Sequence, residues 1–108
     1  MADIHISPLA KADMREIADY IRNELRNPSA ALRTIQRIRE TAEPLRRFPE
    51  MGTPLLAAQQ EHLYRYLVCG NYLVFYHVGK RDVWIDRVLY GRRDYLALLL
   101  GDRLTEDE

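Results

Sequence analysis

The chain has 108 residues, 47% hydrophobic and 30% charged, with sixteen basic and sixteen acidic side chains. That composition describes one folded domain with a single core and excludes barrel or dinucleotide-fold enzymes, which need more length. A lone cysteine excludes an internal disulfide framework and a multi-cysteine zinc site, and zero formal net charge excludes a strong global field for collecting nucleic acid.

Taken in chain order, residues 3–7 alternate with Ile4 and Ile6 on one side and predict a short strand. Ser7-Pro8 follows, a hydroxyl N-cap with proline at the first helical position, where no N–H is needed. Ala10, Met14, Ile17, Ile21 and Leu25 then make one apolar helical stripe, opposed by Asp13, Glu16, Asp19 and Arg26. Asn27-Pro28 ends that helix and starts another, whose expected stripe is Leu32, Ile35, Ile38, Ala42 and Leu45. Two stripes joined by so short a break predict an antiparallel helical hairpin. Pro44 removes a helical hydrogen bond, so a frayed or 3₁₀ finish is expected. Phe48-Pro49-Glu50-Met51-Gly52-Thr53-Pro54 carries three turn formers in seven residues and reads as a loop.

The period then changes. Residues 63–68, 72–78 and 83–90 are rich in β-branched and aromatic side chains, with Gly70-Asn71 and Gly79-Lys80-Arg81-Asp82 as turns. They predict a three-stranded antiparallel meander, followed by a short helix over 93–100. Residues 102–108 hold four acids and one Arg and are expected to form a disordered acidic tail, leaving one domain over 1–101. The fold class is therefore α+β: an N-terminal strand, a helical hairpin, then a meander, in two layers. The sheet face away from the helices stays partly uncovered, and a site is expected there. No apolar run reaches ~20 residues and the first residues lack a signal-peptide pattern, so a cytoplasmic protein without a membrane partner is expected.

Chemistry-bearing side chains crowd the meander. Tyr72, Val74, Tyr76 and Val78 share one face of their strand, with Leu73, Phe75 and His77 on the other. In the last strand Arg87 is in phase with Val83, Ile85 and Leu89, and Tyr90 with Trp84, Asp86 and Val88; neither set is purely apolar, which predicts a bulge or a strand covered on both faces. An Arg among β-branched residues requires a paired charge, such as Asp94, or an anionic ligand, and both readings stand. Tyr72 and Tyr76 read as packing. His77 has no second His near it in sequence and reads as a satisfied polar tip. His5, His62 and Cys69 show no metal-ligand spacing, so neither metal nor cofactor is expected.

Three segments together resemble the RelE/ParE superfamily of toxins from type II toxin–antitoxin systems: the opening strand with Ser7-Pro8 and its helix, the Phe48-Pro49-Glu50-Met51-Gly52 loop, and the run from Tyr64-Arg65 through Asn71-Tyr72-Leu73-Val74-Phe75-Tyr76 to Arg87-Val88-Leu89-Tyr90-Gly91-Arg92-Arg93-Asp94. The resemblance covers residues 3–100 and implies a cytoplasmic toxin that inhibits growth and serves plasmid stabilization, held in check by a cognate antitoxin. Its members divide by target into DNA gyrase poisons and nucleases that cut mRNA on the translating ribosome. In a nuclease, Arg65, Arg87 and Tyr90 would take the catalytic positions; Arg65, Arg87, Arg92 and Arg93 would bind antitoxin or target. The Arg-Val-Leu-Tyr-Gly-Arg-Arg-Asp run resembles the ParE pattern with Tyr90 where His is common, and the lysine cluster of the nucleases is absent. Gyrase inhibition is therefore favoured; the alternatives are the mRNA endoribonuclease and an inactive module that only binds its antitoxin.

Overall fold

The computed structural model describes residues 1–55 and 64–91. The predicted short helix over 93–100, the acidic tail, His62, Arg92, Arg93 and Asp94 lie outside the described residues.

The element order is β1 (Asp3–Ile6), α1 (Pro8–Asp19), a π-helical turn (Tyr20–Glu24), α2 (Pro28–Ala42), a 3₁₀ turn (Glu43–Arg46), β2 (Thr53–Pro54), β3 (Tyr64–Cys69), β4 (Tyr72–Val78) and β5 (Asp82–Tyr90). Ser7 starts α1 as expected: its hydroxyl oxygen accepts from the Ala10 N–H at 3.0 Å, and its O–H donates to the Asp86 carbonyl at 3.0 Å. One side chain therefore caps the helix and fastens it to β5.

The two helical stripes depart from expectation at the closed end of the hairpin. The π-helical turn adds a residue to the helical register, with the Leu25 N–H bonding the Tyr20 carbonyl. Ile21 stays buried, but Leu25 is turned off the buried face and is 57% exposed. Arg26 then takes a left-handed φ of 52°, and Asn27 caps α2 by accepting from the Ala30 N–H at 3.1 Å. The buried stripe of α2 runs through Ala31, Ile38 and Ala42, so Leu32, expected in the core, is 74% exposed. A small Ala lies inward just past the tight reversal, and the bulkier Leu is rotated about 100° away from it. The finish at Pro44 is 3₁₀, as expected.

The sheet order is β1-β5-β4-β3-β2. β1 pairs parallel with β5, and all other neighbours are antiparallel. Two features were not expected: β2, a two-residue edge strand inside the predicted loop, and the parallel pairing, which the helical hairpin makes possible as its crossover. The predicted bulge lies in β5. Tyr76 is opposite Ile85 and Phe75 opposite Arg87, so Asp86 is the extra residue.

The helices cover one face, where Met14, Ile38, Leu45, Val74, Tyr76, Val83, Ile85 and Val88 form the main core. On the opposite face Leu73, Phe75 and Leu89 are buried with Leu55 and Tyr66 against them, while His77, Trp84 and Asp86 at the other end are only half-buried. That face is thus partly uncovered, as expected, but only at one end. Among the described residues no helix is long and apolar enough to cross a membrane.

Candidate functional site

β1 ends at Ile6, which leaves the outer edge of β5 without a strand partner beyond Ile85 among the described residues. Asp13, on the first turns of α1, fills that gap. Its Oδ2 accepts from the Val88 backbone N–H at 2.9 Å and from Arg87 Nε at 2.8 Å, and its Oδ1 accepts from Arg87 Nη2 at 2.8 Å. Asp13 is only 8% exposed, so the bidentate guanidinium and the backbone donor together replace the water it has lost. The same bond raises the Arg87 pKa above its ordinary value, with burial opposing it. Asp94 was the carboxylate considered for this arginine; Asp13, on the first helix, is the one that takes it.

Arg65 is held by backbone. Its Nη1 donates to the carbonyls of Glu50 at 3.0 Å and Gly52 at 2.9 Å. Its cross-strand partner Tyr76 is fully buried, and the Tyr76 hydroxyl accepts from the Gly52 N–H at 2.8 Å. Burial raises the Tyr76 pKa, against the lowering by the Gly52 bond and Arg65. Arg65 and Tyr76 thereby clamp the loop before β2, and they fix why position 52 is glycine: a Cβ there would lie 2.5 Å from Tyr76 Oη.

Tyr90 is 54% exposed at the far end of β5, its ring 5.5 Å from that of its register partner Tyr72. Burial, with Tyr90 beside it, raises the Tyr72 pKa.

The three residues expected to act together are therefore spread out. Arg65 is level with Tyr76 and Tyr90 with Tyr72, four positions along β4. At ~3.3 Å per residue and ~4.8 Å per strand, Arg65 and Tyr90 differ by roughly 13 Å along the sheet and about 10 Å across it. Arg87 is placed between them at the bulge, already bonded to Asp13. Of the expected binding arginines, Arg65 and Arg87 are both committed to contacts within the chain.

A different group assembles on the uncovered end of the opposite face. His5, Trp84, His77 and Tyr64 are successive register partners on β1, β5, β4 and β3. The His5 and Trp84 rings stack at 4.7 Å, and Tyr64 meets His77 edge-on at 5.6 Å. His77 Nδ1 is 2.7 Å from Asp86 Oδ2, and His5 Nε2 is 3.5 Å from Asp82 Oδ2. Burial raises the Asp86 pKa more than the His77 bond lowers it. With Nδ1 engaged, Nε2 of His77 is the nitrogen open to a further partner. His77 is thus a satisfied polar tip, as expected, with a carboxylate nine residues away as its partner. The four-residue turn at 79–82 already sets His77 opposite Trp84; His5 joins the row only through the parallel pairing. Among the described residues no three His, Cys, Asp or Glu side chains converge on a possible metal position.

Comparison with known proteins places this geometry. The family model described as the ParE toxin of the type II toxin–antitoxin system parDE matches residues 4–95. No curated protein matches the chain. A chain of the chromosomal ParDE toxin–antitoxin system from P. aeruginosa superposes with a TM-score of 0.71 at 22% identity, covering 85% of this chain and 98% of that one. The YoeB dimer from Staphylococcus aureus superposes with a TM-score of 0.56 at 17% identity, covering 84% and 98%. At such identities the two structures establish a shared fold.

Proposed function

The chain belongs to the ParE toxin family of type II toxin–antitoxin systems, and from that membership we propose that it arrests growth by engaging DNA gyrase while a cognate antitoxin neutralises it. The observation that carries the choice of target is the dispersal of Arg65, Arg87 and Tyr90. Cleaving RNA through its 2′-hydroxyl requires a base, an acid and a cation around one phosphate, each within about 3 Å of its reacting atom. Here Arg87 is saturated on one side by Asp13, Arg65 holds the loop before β2, and Tyr90 is separated from Arg65 by several strand positions. A phenol is also a poor base near neutral pH. Poisoning a protein target asks instead for a stable surface, and the ties at Arg65 and Arg87, which hold the sheet firm, support that reading.

The test follows cells after induction of this chain alone. DNA breaks and altered plasmid supercoiling should appear first, with transcripts intact, and purified gyrase should lose supercoiling activity in its presence. Tyr90→Phe should arrest growth as wild type does, because no proton is transferred. Truncated messages within minutes, abolished by Tyr90→Phe, would overturn the gyrase reading in favour of a nuclease.

A further inference from the structure

Four aromatic rings cross the uncovered end of the sheet and fall into two pairs, His5 on Trp84 and Tyr64 against His77. All four are register partners on successive strands. Neighbouring strands are ~4.8 Å apart, so the centres of the two pairs are separated by two spacings, roughly 9.6 Å. The row is open to solvent: Tyr64 is 41% exposed, and the His5 and His77 side chains are 43% and 35% exposed. Two donors stand unused beside the rings. Among the described residues neither the Trp84 indole N–H nor the Tyr64 hydroxyl has a hydrogen-bond partner, and neither is buried away from water. His77 adds an acceptor, because its Nδ1 meets the Asp86 carboxylate at 2.7 Å and Nε2 is left over.

An occupant must therefore cover spaced rings with apolar groups and also carry acceptors for the donors between them. A polyproline II segment has both. It rises about 3.1 Å per residue with three residues per turn, so side chains at i and i+3 recur every ~9.3 Å, close to the spacing of the ring pairs. It makes no internal hydrogen bonds, so its carbonyls remain free to accept from Trp84 and Tyr64. A residue other than proline between the two contacts supplies an N–H for His77 Nε2. Such a segment is also stiff before it binds, and so loses little conformational freedom on a flat face. A nucleic-acid strand would stack on the rings but bring its phosphates to Asp82 and Asp86, with no lysine or arginine in the row to offset them. A cationic segment would find both of these carboxylates already facing imidazoles.

We infer that the row His5, Trp84, His77 and Tyr64 binds a proline-rich segment of a partner protein. The segment lies across the strands in the polyproline II conformation, with prolines three positions apart on the two ring pairs. The inference is independent of the target proposed for the toxin.

Trp84 is the only tryptophan of the chain, so its fluorescence reports directly from the row. The probe is a peptide of four Pro-Pro-Ala repeats titrated into the full chain, beside a flexible control of four Gly-Ser-Ala repeats. Saturable change with the proline peptide is expected at a Kd on the order of 100 µM, and none with the control. Tyr64→Ala should weaken binding at least tenfold, with circular dichroism unchanged because the side chain is exposed. Tyr64→Phe, which keeps the ring and removes the donor, should lose less. If the proline peptide gives no saturable change, or the control binds as tightly, the inference is overturned. Equal binding by wild type and both Tyr64 variants overturns it too. If a dT12 oligonucleotide binds wild type more tightly than the proline peptide and displaces it, the row is a nucleic-acid surface and the inference falls.

Discussion

Arg65 and Arg87, on β3 and β5, direct their guanidinium groups at the protein's own carbonyls and at Asp13, whereas Lys11, Arg15 and Arg39, on the helical layer, face a cleft with no counter-charge among the described residues. The two regions carry the same kind of charge to different ends. At the sheet, each arginine repairs a local deficit: carbonyls of an irregular loop in one case, the buried carboxylate that covers an unpaired strand edge in the other. Such bonds stiffen the fold and engage one nitrogen of Arg65 and two of Arg87 within the chain. On the helices nothing local consumes the charge, so it remains available for a partner. A cation's availability is therefore read from what surrounds it, and the count of arginines says little.

The sharpest way to break this contrast is to remove Asp13. Asp13→Ala leaves Arg87 without its counter-charge and the Val88 N–H without an acceptor, and losing one member of a half-buried, hydrogen-bonded pair costs about 3 kcal/mol. Urea unfolding should show a loss of that order, with Asp13→Asn losing less because an amide oxygen still accepts from Val88. An Asp13→Ala protein as stable as wild type would mean that Arg87 is not held by the fold, and would return it to the pool of ligand-binding cations.

Much of the layer arrangement was legible because its signals are local. Ser7-Pro8 and Asn27-Pro28 are cap chemistry within two residues, and the meander is written in alternation and turn residues. Even the bulge showed itself, since Arg87 shares its alternation with Val83 and Ile85, and Val88 with Trp84 and Asp86, so that neither set is purely apolar. The misread parts are non-local. The π-helical turn at Tyr20–Glu24 has no residue signature, and Leu32 was placed in the core because its spacing to Ile35 suits a stripe that tertiary packing moved to Ala31. The site suffered most. Asp13 and Arg87 are 74 positions apart, and on periodicity alone Asp13 belongs to the solvent face of its helix. His5 reaches Trp84 only through a parallel pairing that no turn announces.

A smaller effect tests the second sheet arginine through its neighbour. Tyr76→Phe keeps the ring and removes the hydroxyl that accepts from the buried Gly52 N–H, which costs about 1.5 kcal/mol when a buried donor is left without a partner. Arg65 should still hold the Glu50 and Gly52 carbonyls, so the loop before β2 is loosened rather than released, and amide exchange at Gly52 should quicken more than at Val74. If exchange is unchanged, Arg65 alone holds the loop and the hydroxyl is incidental.

The least perturbing change probes the uncovered end of the sheet, where His77 and Asp86 meet. Burial lifts the Asp86 pKa further than its bond to His77 lowers it, so the folded protein holds that proton to higher pH than the unfolded chain does. Its contribution favours the fold below the ordinary carboxylate value and is lost as pH rises through the raised one. Asp86→Asn keeps the shape and an oxygen for His77 but has no proton to lose. Relative to wild type, the variant should therefore gain stability as pH is raised from about 4 to about 7, and wild type should catch up as the solution is acidified. The readout is the difference in melting temperature between the two proteins across that range. A difference that instead moves against the variant as pH rises would show that the charged His77–Asp86 bond outweighs burial, and would mark this pair as a second place in the sheet where charge serves the fold as it does at Asp13 and Arg87.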